Sequence, residues 1–317
     1  MNYDIGLFVE NISIKYAYSD EVRELLSQII PKMILYYGED KAEIILNAIQ
    51  SCPIMICNDG ENIYDLLFKE GFINTSIDSD YTVSNDDLKR SSGVYTSVPE
   101  LIYDDETNKY MVKSVRRIVG LSNYFKYDEI NHIAILVHEL GHLVKSYVDE
   151  YIIIDDVLIS RSGLIVSTYR LSHDGNVVSM KLIDEKSVGI EEGTNSLDEK
   201  NIMSSYFDNS YKVEGYVLVT EVARVLVDNF DLKKDIHDAQ FFATKNNLIE
   251  KYNSMSTEYS YQRLDILVDE TIRLEYEKFS NIFEPEKLEE SNQKLNNQID
   301  KLKQELSNLK LEPKNIK

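Results

Sequence analysis

The chain has 317 residues, which at roughly 150 residues per domain makes one large or two ordinary domains with a sizeable buried core. Lys plus Arg number 34 against 55 Asp plus Glu, so the net charge is −21, and so acidic a surface repels phosphate backbones and anionic lipid. Nucleic-acid and membrane-surface roles are therefore not expected, and a composition 43% hydrophobic and 28% charged is that of a folded protein rather than a disordered one.

No apolar run of about 18 residues is present, and Met1-Asn2-Tyr3-Asp4 lacks the basic start and apolar stretch of a secretory signal. The expectation is a cytoplasmic protein. Cys52 and Cys57 match neither a redox pair nor a zinc framework and read as buried thiols.

The first fifty residues read as helix. An apolar-periodic stretch opens at Asp20 and runs to Tyr37, with Pro31 expected to kink or split it, and a second run ends at Ile49. Pro53 to Cys57 reads as a buried strand, Ile63 to Lys69 as a short helix, and Gly71 to Ser92 as polar and irregular. Val94 to Tyr103 and Tyr110 to Val119 form a predicted hairpin around Asp104 to Asn108.

From Asp128 to Val148 nearly every side is apolar, which predicts a helix buried in the body. Three β-rich runs follow, Tyr151 to Ser160, Leu164 to Ser172 and Val177 to Ile183, and suggest an antiparallel meander. Beyond Gly189 the pattern is helical: Glu191 to about Ser205, Gly215 to Phe230, Leu232 to Tyr252 and Tyr259 to Phe283. After Pro285, Leu288, Leu295, Ile299, Leu302, Leu306 and Leu309 keep the 3.5-residue period of a coiled coil, with Asn292 at a polar-tolerant core position. Lys and acids balance in 284–317, so the net negative charge belongs to 1–283.

The chemistry sits in His138-Glu139-Leu140-Gly141-His142, an H-E-x-x-H pattern. On a helix a four-residue step returns to nearly the same face, so both imidazoles can reach one tetrahedral metal. Glu139, about 100° round the helix, is the candidate general base. Gly141 costs about 1 kcal/mol relative to Ala inside a helix, which suggests a close approach there. A catalytic zinc needs a third protein ligand. His132 reads as structural, and His173 and His237 are weaker candidates than the paired carboxylates Glu191 and Glu192, which enter a helix about fifty residues after His142.

The motif helix, the β-rich insertion and the later helix with a Glu-Gly pair together resemble the gluzincin zinc metallopeptidases. Gly189-Ile190-Glu191-Glu192-Gly193 is similar to bacterial members whose ligand is the Glu directly before a Gly. The resemblance implies one Zn²⁺ per chain held by His138, His142 and Glu192, with Glu191 the alternative. It also implies an oxyanion donor beyond the third ligand, for which Tyr216 and Tyr211 are the candidates. Where such members continue with a Thr-acid pair, this chain has Thr194-Asn195-Ser196, which makes Asn195 the candidate partner of a zinc-bound His.

The fold expected is α+β and zincin-like, with a small mixed sheet, a buried active-site helix, a β-meander insertion, a helical C-terminal half and a short coiled-coil tail. The body spans 1–283: an α/β part over 1–125, the active-site helix over 126–148, the insertion over 149–189 and the helical part over 190–283. The tail is 284–317 and offers a seam for a homodimer or a partner, or, with barely three heptads, a helix folded back on the body. The resemblance implies a metalloendopeptidase acting on a protein or peptide. The alternatives are a peptidase dedicated to one regulatory protein and a non-enzymatic coiled-coil assembly protein with a structural metal site.

Overall fold

The computed structural model describes residues 4–15, 19–73, 89, 91–123, 129–148, 150–175, 177–212, 215–256, 260–282 and 284–307. Within them the chain is α+β, with eleven α-helices and two four-stranded sheets.

The N-terminal part holds α1 (Ile5–Glu10), β1 (Ile14–Lys15), α2 (Ser19–Tyr37), α3 (Ala42–Ser51), β2 (Ile54–Ile56), α4 (Ile63–Lys69), β3 (Gly93–Asp104) and β4 (Lys109–Leu121). Its sheet runs β1-β2-β4-β3, parallel between β1, β2 and β4 and antiparallel between β4 and β3, so β3 is an edge strand. The predicted hairpin and the short helix α4 are present. Most of the polar stretch 71–92 lies outside the described residues. Two expectations change. Residues 5–15 form a short helix and a strand rather than continuous helix, and α2 is not split at Pro31. Ile29, Ile30, Met33 and Ile34 on either side of the proline are buried, and that packing holds the helix together where the local backbone bond is lost.

Helix α5 (Ile130–Lys145) follows, then the second sheet, β5 (Glu150–Ile154), β6 (Val157–Ser162), β7 (Ile165–Asp174) and β8 (Val177–Lys186), antiparallel throughout and in chain order. The meander has four strands, not three, because the run from Tyr151 turns back between Ile154 and Val157, which face each other across a two-residue loop. Asp155 takes φ +52°, a left-handed conformation that Asp tolerates better than most residues.

The C-terminal half is α6 (Val188–Tyr206), α7 (Val217–Phe230), α8 (Lys233–Phe242), α9 (Lys245–Met255), α10 (Tyr261–Ser280) and α11 (Pro285–Ser307). The single helix expected over Leu232 to Tyr252 is two, broken at Ala243, whose φ is +54°. Thr244 caps the break by donating to the Asp238 carbonyl at 2.9 Å, and Lys245 Nζ reaches the Leu164 carbonyl at 2.9 Å, so a tertiary contact sets the break where no Gly or Pro announces it.

One core joins α2, α3, α5 and the parallel strands, and a second fills the space between α6 and α11. The tail helix lies antiparallel on α10: Gln298 donates to the Leu267 carbonyl at 2.8 Å, Lys294 meets Glu277 at 2.9 Å and Arg263 meets Glu305 at 3.1 Å. Leu295 and Leu302 of the heptad series are buried there, so in this chain the seam is filled by its own preceding helix. Among the described residues no helix is long and apolar enough to cross a membrane.

Candidate metal centre

Helix α5 buries Leu136, Val137, Leu140, Leu143 and Val144, and this places the face bearing His138 and His142 against α6. The closeness of the two helices explains Gly141. A Cβ at that position would run into the Asn195 side-chain oxygen of α6, so only glycine lets the carboxylates of α6 reach the imidazoles of α5.

Three electron-pair donors converge between the helices. His138 Nε2 lies 3.1 Å from His142 Nε2, His142 Nε2 lies 3.2 Å from Glu192 Oε2, and His138 Nε2 lies 3.4 Å from the same oxygen. A tetrahedral centre with bonds of ~2.0–2.1 Å spaces its ligand atoms about 3.3–3.4 Å apart, so these three atoms form one face of such a tetrahedron. His138, His142 and Glu192 are thus a group positioned to hold a metal ion.

The hydrogen bonds behind the rings fix which lone pairs face inward. Glu199 Oε2 lies 2.9 Å from His138 Nδ1, and a carboxylate only accepts, so Nδ1 carries the proton and Nε2 presents its lone pair to the centre. Behind His142 stands Glu191, with Oε1 3.8 Å from Nδ1. Glu191 is itself fixed by the Leu164 N–H and by Gln240 Nε2, each donating at 2.9 Å. The paired carboxylates therefore divide: Glu192 points at the centre and Glu191 at the back of a ring.

Two imidazole lone pairs and a carboxylate this close demand a cation or a proton among them. Burial opposes charge on His138, but Glu192 and Glu199 outweigh it and raise its pKa to about 10. His142 is likewise disfavoured by burial and raised to about 9 by Glu192 and Glu191. Burial would raise Glu192, yet the two imidazoles hold it far below the usual carboxylate range.

Glu139 is outside the triad and borders a cavity of about 240 Å³ together with His138, Glu199, Tyr211 and Tyr216. Burial pushes its carboxyl up, against the pull of both imidazoles and of the Tyr95 backbone N–H. Strand β3 passes close by at Gly93, where a Cβ would strike Ile135 and stand 3.1 Å from Glu139 Oε1. The edge strand thus runs beside the general-base candidate because residue 93 has no side chain.

Tyr216 stacks on His138 with ring centroids 6.0 Å apart, and its hydroxyl pairs with that of Tyr276 at 2.8 Å. Tyr211 donates to Glu199. Asn195 does not take the place expected of it. Its amide donates to the backbone carbonyl of His138 at 2.9 Å, and the ring's partner is Glu199. Glu199 was missed, although it stands seven residues after Glu192, two turns along one helix face.

The remaining histidines lie elsewhere. His132 meets Glu129 at 3.5 Å. His173 stacks on Tyr103 at 3.7 Å near a hairpin tip. His237 is buried with its Nε2 3.1 Å from Asp198, which also binds Lys145 at 3.2 Å and the Tyr36 hydroxyl at 2.9 Å. Compared with protein-family models, with curated proteins and with solved structures, the chain finds no match in any of the three.

Proposed function

We propose that the chain is a zinc-dependent metalloendopeptidase of the gluzincin type, with a zincin-like arrangement of edge strand, motif helix and ligand-bearing second helix. The observation that carries this reading is the triangle of His138 Nε2, His142 Nε2 and Glu192 Oε2 beside a cavity that both His138 and Glu139 line. Nitrogen and oxygen donors in a His₂Glu set suit zinc, and three protein ligands leave the fourth position to water or substrate. A structural zinc site would close all four positions with protein ligands, and the group found among the described residues has three.

When bound, zinc supplies a Lewis acid that lowers the pKa of water towards about 7 and polarises a carbonyl. The chain's own residues do the rest. Glu139 takes the proton of the attacking water and delivers it to the leaving amine, a task favoured by a carboxyl whose pKa burial has pushed up. Glu199 holds the His138 imidazole in register, and Glu191 sets a negative charge 3.8 Å behind His142. An extended peptide lies along edge strand β3, which pairs with β4 on one side only. Tyr216 is the proposed oxyanion donor, once its hydroxyl leaves Tyr276.

Metal analysis of the purified protein and cleavage of a peptide library, run beside Glu139→Gln, test this. The expected result is about one zinc per chain in both proteins and cleavage only in the parent. A metal-free parent, or a Glu139→Gln protein that still cuts, overturns the reading.

A further inference from the structure

Resting on the peptidase reading, we infer that the cavity beside the metal centre is a recognition pocket for a cationic side chain, a lysine or arginine of the substrate. At about 240 Å³ it is smaller than the ~300–1,000 Å³ sites of drug-sized ligands and suits a single side chain. Its walls include the carboxylates of Glu139 and Glu199 and the phenol rings of Tyr211 and Tyr216, and none of the residues lining it is Lys or Arg. Glu191 and Glu192 stand just behind, so four carboxylates surround a centre at which a divalent ion brings only two charges. The excess is negative and sits in a buried place, where a charge of the opposite sign gains more than in water. Tyrosine faces add attraction for an ammonium or guanidinium.

A second observation points the same way. Ser196 lines the cavity, the residue is 1% exposed, and its Oγ is buried without a hydrogen-bond partner. An orphaned hydroxyl there accepts a hydrogen bond from an N–H₃⁺ or guanidinium donor, which an apolar side chain leaves unmet. Glu199 already spends its oxygens on His138 and Tyr211, so it contributes charge, while Ser196 contributes the direct contact. The chain's net charge of −21 favours the approach of a basic segment over longer range.

The test measures binding of Nα-acetyl-lysine amide and its uncharged isostere Nα-acetyl-norleucine amide to the full zinc-loaded chain by ligand-detected NMR. The lysine derivative should bind at least tenfold tighter at low salt, with the advantage shrinking as salt rises. Asn131, an exposed residue at the cavity rim, provides the positional control. Asn131→Lys places a fixed cation there and should remove most of the lysine preference by weakening the lysine derivative far more than the norleucine derivative. Equal binding of the two derivatives, binding of neither, or a preference untouched by Asn131→Lys overturns the pocket assignment. The two readings fail separately: a lysine preference in a chain that cuts no peptide sinks the peptidase alone, and cleavage without that preference sinks the pocket alone.

Discussion

Glu199 reaches His138 Nδ1 at 2.9 Å from a position two helical turns beyond Glu192, so one face of α6 supplies both a donor for the centre and the carboxylate that orients an imidazole. Tyr211 donates to the other oxygen of Glu199 and ties the segment after α6 to the same ring. Such outer partners typically change metal affinity 10–100-fold when removed. Glu199→Ala should therefore weaken zinc binding by about that factor in a chelator competition, and Glu199→Gln, which still accepts from Nδ1, should weaken it less. Equal affinity in all three proteins would show that the contact does not orient the ring.

Gly141→Ala reverses an ordinary sign. In an unencumbered helix the change stabilises by up to about 1 kcal/mol. Here the new methyl meets Asn195, and prying α5 from α6 costs about 1–3 kcal/mol by the usual scale of overpacking. Urea unfolding should show net destabilisation, accompanied by weaker zinc binding because the ligands sit on separate helices. A more stable variant would mean that the two helices are not in contact at this point.

Stripped of metal, the protein should lose stability as pH rises. His138 and His142 have folded pKa values of about 10 and about 9, above their ordinary 6.5. A raised folded pKa means that the folded state holds protons the unfolded chain has released, so the stabilisation is complete below about 6.5 and vanishes as pH passes through 9 to 10. Thermal melts in chelator should fall across that window, and added zinc should remove the fall by replacing the proton with an ion that alkali does not titrate. His142→Asn should flatten the slope. A melting temperature that rises from pH 6.5 to 9 in chelator contradicts the arrangement.

Asp198 neutralises Lys145, which is fully buried, and pairs with the His237 imidazole while accepting from Tyr36 of α2. Burial would raise its carboxyl, yet His237 and Lys145 hold it far below the usual range. Asp198→Asn removes the ion-pair partner of Lys145 in the core, a defect that costs about 3–5 kcal/mol. Denaturant titration should register that loss. A cost under about 1 kcal/mol would mean that water reaches the cluster.

Spacing along one helix was legible from the start. His138, Glu139 and His142 lie where a 3.6-residue turn puts them, and the buried faces of α5 and the hairpin of β3 and β4 follow from apolar periodicity. The split of α8 from α9 was not legible, because Ala243 carries no local signal and the break answers to Lys245 reaching across to Leu164. The tail shows the same division. Its leucine period was visible, but a heptad seam fits any apolar partner, and here α10 covers Leu295 and Leu302.

The sequence by itself determined that two imidazoles and a carboxylate would share one helix and that acidic residues would enter a later one, since those facts depend only on helical repeat. Only the tertiary structure decided that Glu192 faces the centre, Glu191 stands behind His142, and Glu199 rather than Asn195 holds His138. Which residue of one helix meets which of another depends on the depth and angle at which they pack, and that is set by Gly141 and the side chains around it, not by any periodicity within either helix.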